Sequence, residues 1–157
     1  MDARVSDQVV EEGTGVGTTA GSAADQSMAG RLGLRPGMVV QEFGYDSDAD
    51  DELRASIEGL TGNELGDEDG QDVVDVALQW WRDGDGDLVD ALVDALTNLA
   101  DGGVIWLLTP KSGRPGHLEL SEIEEAAPTA GLHATTTISA CPDWTGTRLA
   151  APRSGRR

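Results

Sequence analysis

Along the chain, the hydrophobic pattern changes period from one block to the next. "GMVVQEF" (Gly37 to Phe43) follows Pro36 and predicts a strand. "DADDELRASIEGL" (Asp48 to Leu60) predicts a helix, because acids fill its first turn and Leu53, Ile57 and Leu60 recur at helical spacing. "TGNELGDEDGQD" is a polar loop punctuated by glycine, and Val73 to Trp81 is a mainly apolar run of strand type. Leu88, Leu92, Leu96 and Leu99 then form a helical stripe with Ala91 and Ala95 beside it, and Asp101 to Gly103 supplies a glycine stop. "VIWLLTP" (Val104 to Pro110) has the near-continuous apolar character of a central parallel strand. "LSEIEEAAPTAGL" carries a Ser-x-x-Glu capping box, with Ser121 as cap and Glu124 reaching back, and Pro128 ends or bends that helix. His133 to Ala140 and Asp143 to Pro152 predict two closing strands around a turn at Cys141-Pro142.

The resulting order is strand, helix, strand, helix, strand, helix, then two strands. Such alternation predicts an α/β fold: a three-layer, Rossmann-like, mostly parallel sheet with a C-terminal antiparallel hairpin, shortened in its first half. Residues 30–152 form a single domain on this reading. Residues 1–29 are rich in Gly, Ser, Thr and acids and predict a disordered tail, since such a segment cannot bury enough surface to offset its ordering entropy. Its "GTGVGTTAG" lacks the flanking strand and helix of a phosphate-binding loop. Residues 153–157 are a short basic end that predicts fraying.

Charge narrows the partners. A formal net charge of −18 disfavours nucleic acid and anionic membrane alike. One cysteine, Cys141, excludes an internal disulfide framework and a cysteine-based zinc site. With no signal-peptide core and no bilayer-length apolar run, a cytoplasmic protein is expected.

Catalytic chemistry is sparse. In "DGDGDLVDALVD", Asp83, Asp85 and Asp87 imitate the opening of a calcium loop. Such a loop needs glycine at position six, an apolar residue at position eight and a bidentate glutamate at position twelve, where Leu88, Asp90 and Asp94 stand instead. Asp85 or Asp87 is therefore expected to cap the following helix. His117 and His133 share no metal-ligand spacing, Cys141 has no neighbouring base or cation in sequence, and Ser112 and Ser121 lack a nucleophile-elbow context. The acids at 46–51 and 68–69 predict a solvated face. No catalytic residue, metal or cofactor is assigned.

From Val73 onward, "VVDVALQWW", "DLVDALVDALTNL", "DGGVIWLLTP" and "SEIEEAAPTAGL" resemble the second half of a class I S-adenosylmethionine-dependent methyltransferase domain. "LGLRPGMVVQEFGYD" is similar to that family's lead-in to its first strand and cofactor loop. The resemblance implies a glycine-rich loop after the first strand, but here Gly44 is followed by Tyr45, Asp46, Ser47 and Asp48. It also implies two further strands, the first ending in a ribose-binding acid, and only the loop Gly62 to Gln71 fills that interval. Glu42 is the remnant closest in place. The whole chain more closely resembles an uncharacterised actinobacterial family, the domain of unknown function 3052, through "WWRDGDGDLVDALVDAL", "GGVIWLLTPKSGRPGH" and "AAPTAGLHATTTISACPDW".

In open α/β sheets, ligands bind outside the carboxyl ends of the strands. Those ends carry Glu42, Gly44, Tyr45, Trp81, Arg82, Thr109, Lys111 and Arg114, which are the expected binding residues. The bland alternative is that the tryptophans fill core space and the basic residues balance nearby acids. The function expected is a non-catalytic binding or regulatory module whose partner is another protein. A small-molecule enzyme of methyltransferase type with an atypical cofactor site is the alternative. An acidic nucleic-acid mimic or metal buffer has only the charge in its favour.

Overall fold

The computed structural model describes residues 27–151. A short helix α1 (Met28–Arg31) precedes β1 (Val40–Phe43), α2 (Asp51–Thr61), β2 (Val74–Trp80), α3 (Leu88–Leu96), β3 (Leu99–Pro110), α4 (Leu120–Thr129), β4 (His133–Cys141) and β5 (Trp144–Ala150). The five strands form one sheet in the order β1-β2-β3-β5-β4. β1, β2 and β3 pair in parallel, and β5 pairs antiparallel with both β3 and β4. This is the expected mostly parallel sheet with a closing hairpin.

Period-2 alternation sends successive side chains of each strand to opposite faces. On one face Val40, Val76, Leu78, Trp80, Trp106 and Leu108 pack with Ala29 of α1 and with Leu53 and Ile57 of α2. On the other, Ala77, Trp81, Ile105, Leu107 and Leu149 meet Leu92 and Ala95 of α3 and Ile123 and Ala127 of α4. Helices thus cover both faces, giving three layers with two cores. Trp80 and Trp81 are consecutive and so serve opposite cores.

Several expectations need correction. Met28 and Ala29, read as tail, belong to α1, and Ala29 is fully buried. Residues 1–26 and 152–157, which hold the rest of both terminal expectations, lie outside the described residues. α3 ends at Leu96 rather than near Leu99, because Asn98 is drawn toward the sheet: its side chain donates to the Gly70 carbonyl and to the side-chain Oε1 of Gln41, and its own carbonyl accepts from Val74 N–H. Asp101 to Gly103, expected to stop that helix, lies inside β3, where a register shift between Val74 and Val76 accommodates it. The α4 capping box stands two residues earlier than expected, with Glu119 as cap and Glu122 returning to its N–H at 3.1 Å. Pro128 sits in the last turn of α4, and the helix continues to Thr129.

β1 has no strand on its outer side among the described residues. The loop at 62–72 closes that edge instead. Gly66 N–H donates to Val40 O at 2.9 Å and Gly66 O accepts from Glu42 N–H at 2.8 Å, a single parallel bridge. The buried Gln41 amide then donates to Asp67 O and Gly70 O at 3.0 and 3.1 Å, latching the loop to the strand.

Candidate functional site

The chain leaves β1 through Phe43-Gly44-Tyr45, beside the end of β2. Gly44 has φ 75°, and a Cβ placed there would stand 2.3 Å from the Trp80 carbonyl oxygen. Glycine is required here because backbone meets backbone, in a region of φ that L side chains avoid. Both polar groups of Gly44 are engaged within the protein. Its N–H donates to Glu68 Oε2 at 2.8 Å, and its carbonyl accepts from Arg82 Nη1 at 2.8 Å.

Arg82 is the hub of this corner. Its guanidinium also pairs with Asp48 through two donors and with Asp85 at 3.3 Å, and it lies 5.3 Å from the centre of the Trp144 ring. The Arg82 hydrogen bond and charge hold the Asp48 carboxyl below its ordinary pKa. Gly116 approaches so closely that a Cβ would lie 2.9 Å from Arg82 Cβ, and Asp83 N–H donates to Gly116 O at 2.8 Å. The loop after β3 is thereby fastened to the loop after β2.

Glu42 faces inward. Its side chain is 7% exposed, pairs with Arg54 through both oxygens at 2.7 and 3.0 Å, and accepts from Trp80 Nε1 at 2.8 Å. Arg54 in turn lies over the Tyr45 ring, 4.1 Å from its centre.

A cleft of about 370 Å³ opens outside the ends of β1 and β2. Gly44, Tyr45, Trp81 and Arg82, four of the expected residues, line it. Asp46, Glu68, Asp85 and Asp94 line it too, with Gln79, which is 5% exposed. A neighbouring hollow of about 530 Å³ shares Phe43, Glu68 and Asp94 and adds Asp69, Thr97 and Asn98. Sequence reasoning missed Glu68 and Asp94, which come from a loop and a helix face that read as solvated; no local signal marked them.

The other expected residues stand apart. Thr109 is 2% exposed and lines a separate pocket of about 80 Å³ with His117, Leu118, Ile123 and Thr147. The Lys111 ammonium donates to Ser139 Oγ, and Arg114 pairs with Asp143 at 3.3 Å. The third strand end therefore contributes no residue to the cleft, and its charges turn toward the β4–β5 hairpin. Among the described residues no group of three or more His, Cys, Asp or Glu side chains is placed to hold a metal ion, and no helix is long and apolar enough to cross a membrane.

A parallel sheet with helices on both faces and a closing antiparallel hairpin defines a Rossmann-like fold of methyltransferase type. Solved structures agree on the fold: a SAM-dependent methyltransferase from Aquifex aeolicus matches with a TM-score of 0.53 at 13% identity, over 76% of this chain and 85% of that one. The O-methyltransferase NcsB1 from neocarzinostatin biosynthesis, in complex with S-adenosylmethionine, matches with a TM-score of 0.57 at 14% identity, over 85% of this chain and 53% of that one. Within that class, the chain belongs to the family described as protein of unknown function (DUF3052), whose model matches residues 29–153. The uncharacterized proteins Mb2263c of Mycobacterium bovis and Rv2239c of Mycobacterium tuberculosis are each 52% identical to it over 134 residues, 84% of either chain.

Proposed function

We propose that this chain is a non-catalytic binding or regulatory module built on a methyltransferase-like fold, and that its partner is another protein. The observation that carries the reading is the state of Gly44. A cofactor loop of this fold class offers free backbone and close approach; here the Gly44 N–H is taken by Glu68, its carbonyl by Arg82, and its open side by the Trp80 carbonyl. Glu42, the nearest stand-in for a ribose-binding acid, has both oxygens committed to Arg54 and Trp80. These residues do not fit S-adenosylmethionine, and no methyl-transfer step is derived for them. The cleft at the ends of β1 and β2 is the working surface, where Tyr45, 48% exposed, offers aromatic contact area at low entropic cost beside the ion-paired Arg82 and the buried Trp81. The net charge of −18 weighs against nucleic acid and membrane as partners.

A second reading, a small-molecule enzyme with an atypical cofactor site, draws on the cleft itself, which lies where open α/β sheets bind ligands and carries four carboxylates. Thermal melting with S-adenosylmethionine separates the two. A ligand at one hundred times its dissociation constant stabilises a folded protein by about 2.7 kcal/mol. The expected result is an unchanged midpoint at saturating cofactor; a rise that Asp94→Ala reduces would transfer the conclusion to the enzyme.

A further inference from the structure

One buried polar group at the strand-end cleft has no partner in the chain. Alternation along β2 turns Gln79 to the α3 side with Ala77 and Trp81, in register between Phe43 of β1 and Leu107 of β3. Gln79 is 5% exposed and reaches the cleft beside Gly44, where a Cβ would stand 3.0 Å from its Nε2. Nε2 donates to Trp80 O at 2.9 Å, whereas Oε1 accepts from no described residue. An amide oxygen taken out of water and left without a donor is destabilising, and an apolar side chain would fill the same place without that penalty. Two carboxylates on the wall also keep free oxygens. Glu68 engages Gly44 N–H through Oε2 and leaves Oε1 open, and the Asp94 carboxylate holds no donor among the described residues. Arg82, the cation on this wall, is already committed to Asp48, Asp85 and the Gly44 carbonyl.

We propose that the cleft binds a primary alkylammonium group, whose N–H donors go to Gln79 Oε1 and to the Glu68 and Asp94 carboxylates. The inference rests on the reading of this cleft as a binding surface and names the group that enters it. The acidity of the chain attracts any cation; the buried amide oxygen selects one that brings N–H donors. An ammonium brings three, to acceptors arriving from β2, a loop and α3. Its alkyl stem has Phe43 to lie against, which lines both the cleft and the adjoining hollow. An α-amino acid does not suit the site, because its carboxylate would face Glu68 and Asp94, and S-adenosylmethionine meets the same repulsion. The ammonium therefore belongs to a lysine side chain of the partner or to a simple amine.

The probe is Nα-acetyl-lysine N-methylamide, titrated into the full chain at physiological salt and followed by NMR through the side-chain amide of Gln79. A saturable shift of that signal is expected, together with the Gly44 and Ala91 amides. The ε-trimethylated probe keeps the charge but has no N–H on its cation, and it is expected to bind about tenfold more weakly. Gln79→Met is expected to remove the difference between the two probes. Asp94→Asn, on an exposed helix position, is expected to weaken the lysine probe whether or not the Gln79 variant folds. Equal affinity of the two probes for the unaltered chain overturns the proposal and leaves Gln79 to water, as does unchanged affinity in Asp94→Asn. N-acetylcadaverine separates the sources: if it binds more tightly than the lysine probe, the ammonium site stands and the protein-partner reading falls. If no probe binds, this inference fails alone, because the binding-module reading falls on stabilisation by S-adenosylmethionine.

Discussion

Glu42 and Arg54 meet across β1 and α2 as a two-pronged ion pair, with Trp80 Nε1 as a third donor to the same carboxylate. Removing the arginine would leave a carboxylate that is 7% exposed without a counter-charge. Arg54→Met is therefore expected to lower stability by about 3 kcal/mol, measured by urea unfolding. A loss under about 1 kcal/mol would mean that Glu42 is solvated in solution, and thus open to a ligand.

Asp48 titrates against Arg82. The hydrogen bond from Arg82, then its charge, depresses the Asp48 pKa below the ordinary 3.8. A depressed folded pKa contributes stability that is present above the unfolded value and is lost as pH falls through the folded one. In carboxyl-detected NMR the Asp48 midpoint is expected below 3.8, moving up toward it in Arg82→Gln. An unmoved midpoint would show that the two side chains do not pair in solution.

Cys141 behaves as a buried apolar group. Burial, and then the charge of Asp50, pushes its thiol from 9.0 up to about 12. The folded thiol stays protonated where the unfolded one ionises, so stability falls as pH rises from about 9 toward 12. Alkylation at pH 8 is expected to be slow in the native protein and rapid in denaturant. Native labelling as fast as that of an unfolded peptide would contradict this environment.

The caps give paired comparisons. Asp87 accepts from Val89 and Asp90 N–H, whereas Asp85 serves Arg82. Asp87→Ala is expected to cost about 1 kcal/mol. On α4, Glu119→Ala is expected to cost a similar amount and Ser121→Ala a few tenths of a kcal/mol, read as shifts in the chemical denaturation midpoint. The reverse order would place the box at Ser121. Calcium is expected to leave the midpoint of the unaltered chain where it is, since the Asp85 and Asp87 carboxylates already hold donors of their own chain.

Element type and order could be read from periodicity because each core strand and helix buries a face, and burial imposes the period. Val74–Trp80 and α2 fall within a few residues of expectation for that reason. Boundaries set by single long-range hydrogen bonds could not be read. The end of α3 depends on Asn98 reaching Gly70 and Gln41, and nothing near Asn98 in sequence announces either partner. The site was half legible for a related reason. Gly44, Tyr45, Trp81 and Arg82 follow directly from strand ends, which topology brings together. Glu42 also stands at a strand end, yet alternation turns it to the α2 side, where Arg54 claims it. Glu68 arrives from a loop whose path is fixed by the Gln41 amide, a contact spanning 26 residues.

The two rims of the sheet are unlike. β1 is sealed by Gly66 and the Gln41 latch, while β4 has no neighbour beyond β5 among the described residues. β4 holds no carboxylate, so two copies of a strongly acidic chain could approach along it without like charges meeting. Any strand-to-strand association would use the open rim of both copies at once and present only sealed rims afterwards. Growth of that kind would terminate at a pair, because the loop at 62–72 already occupies the β1 rim.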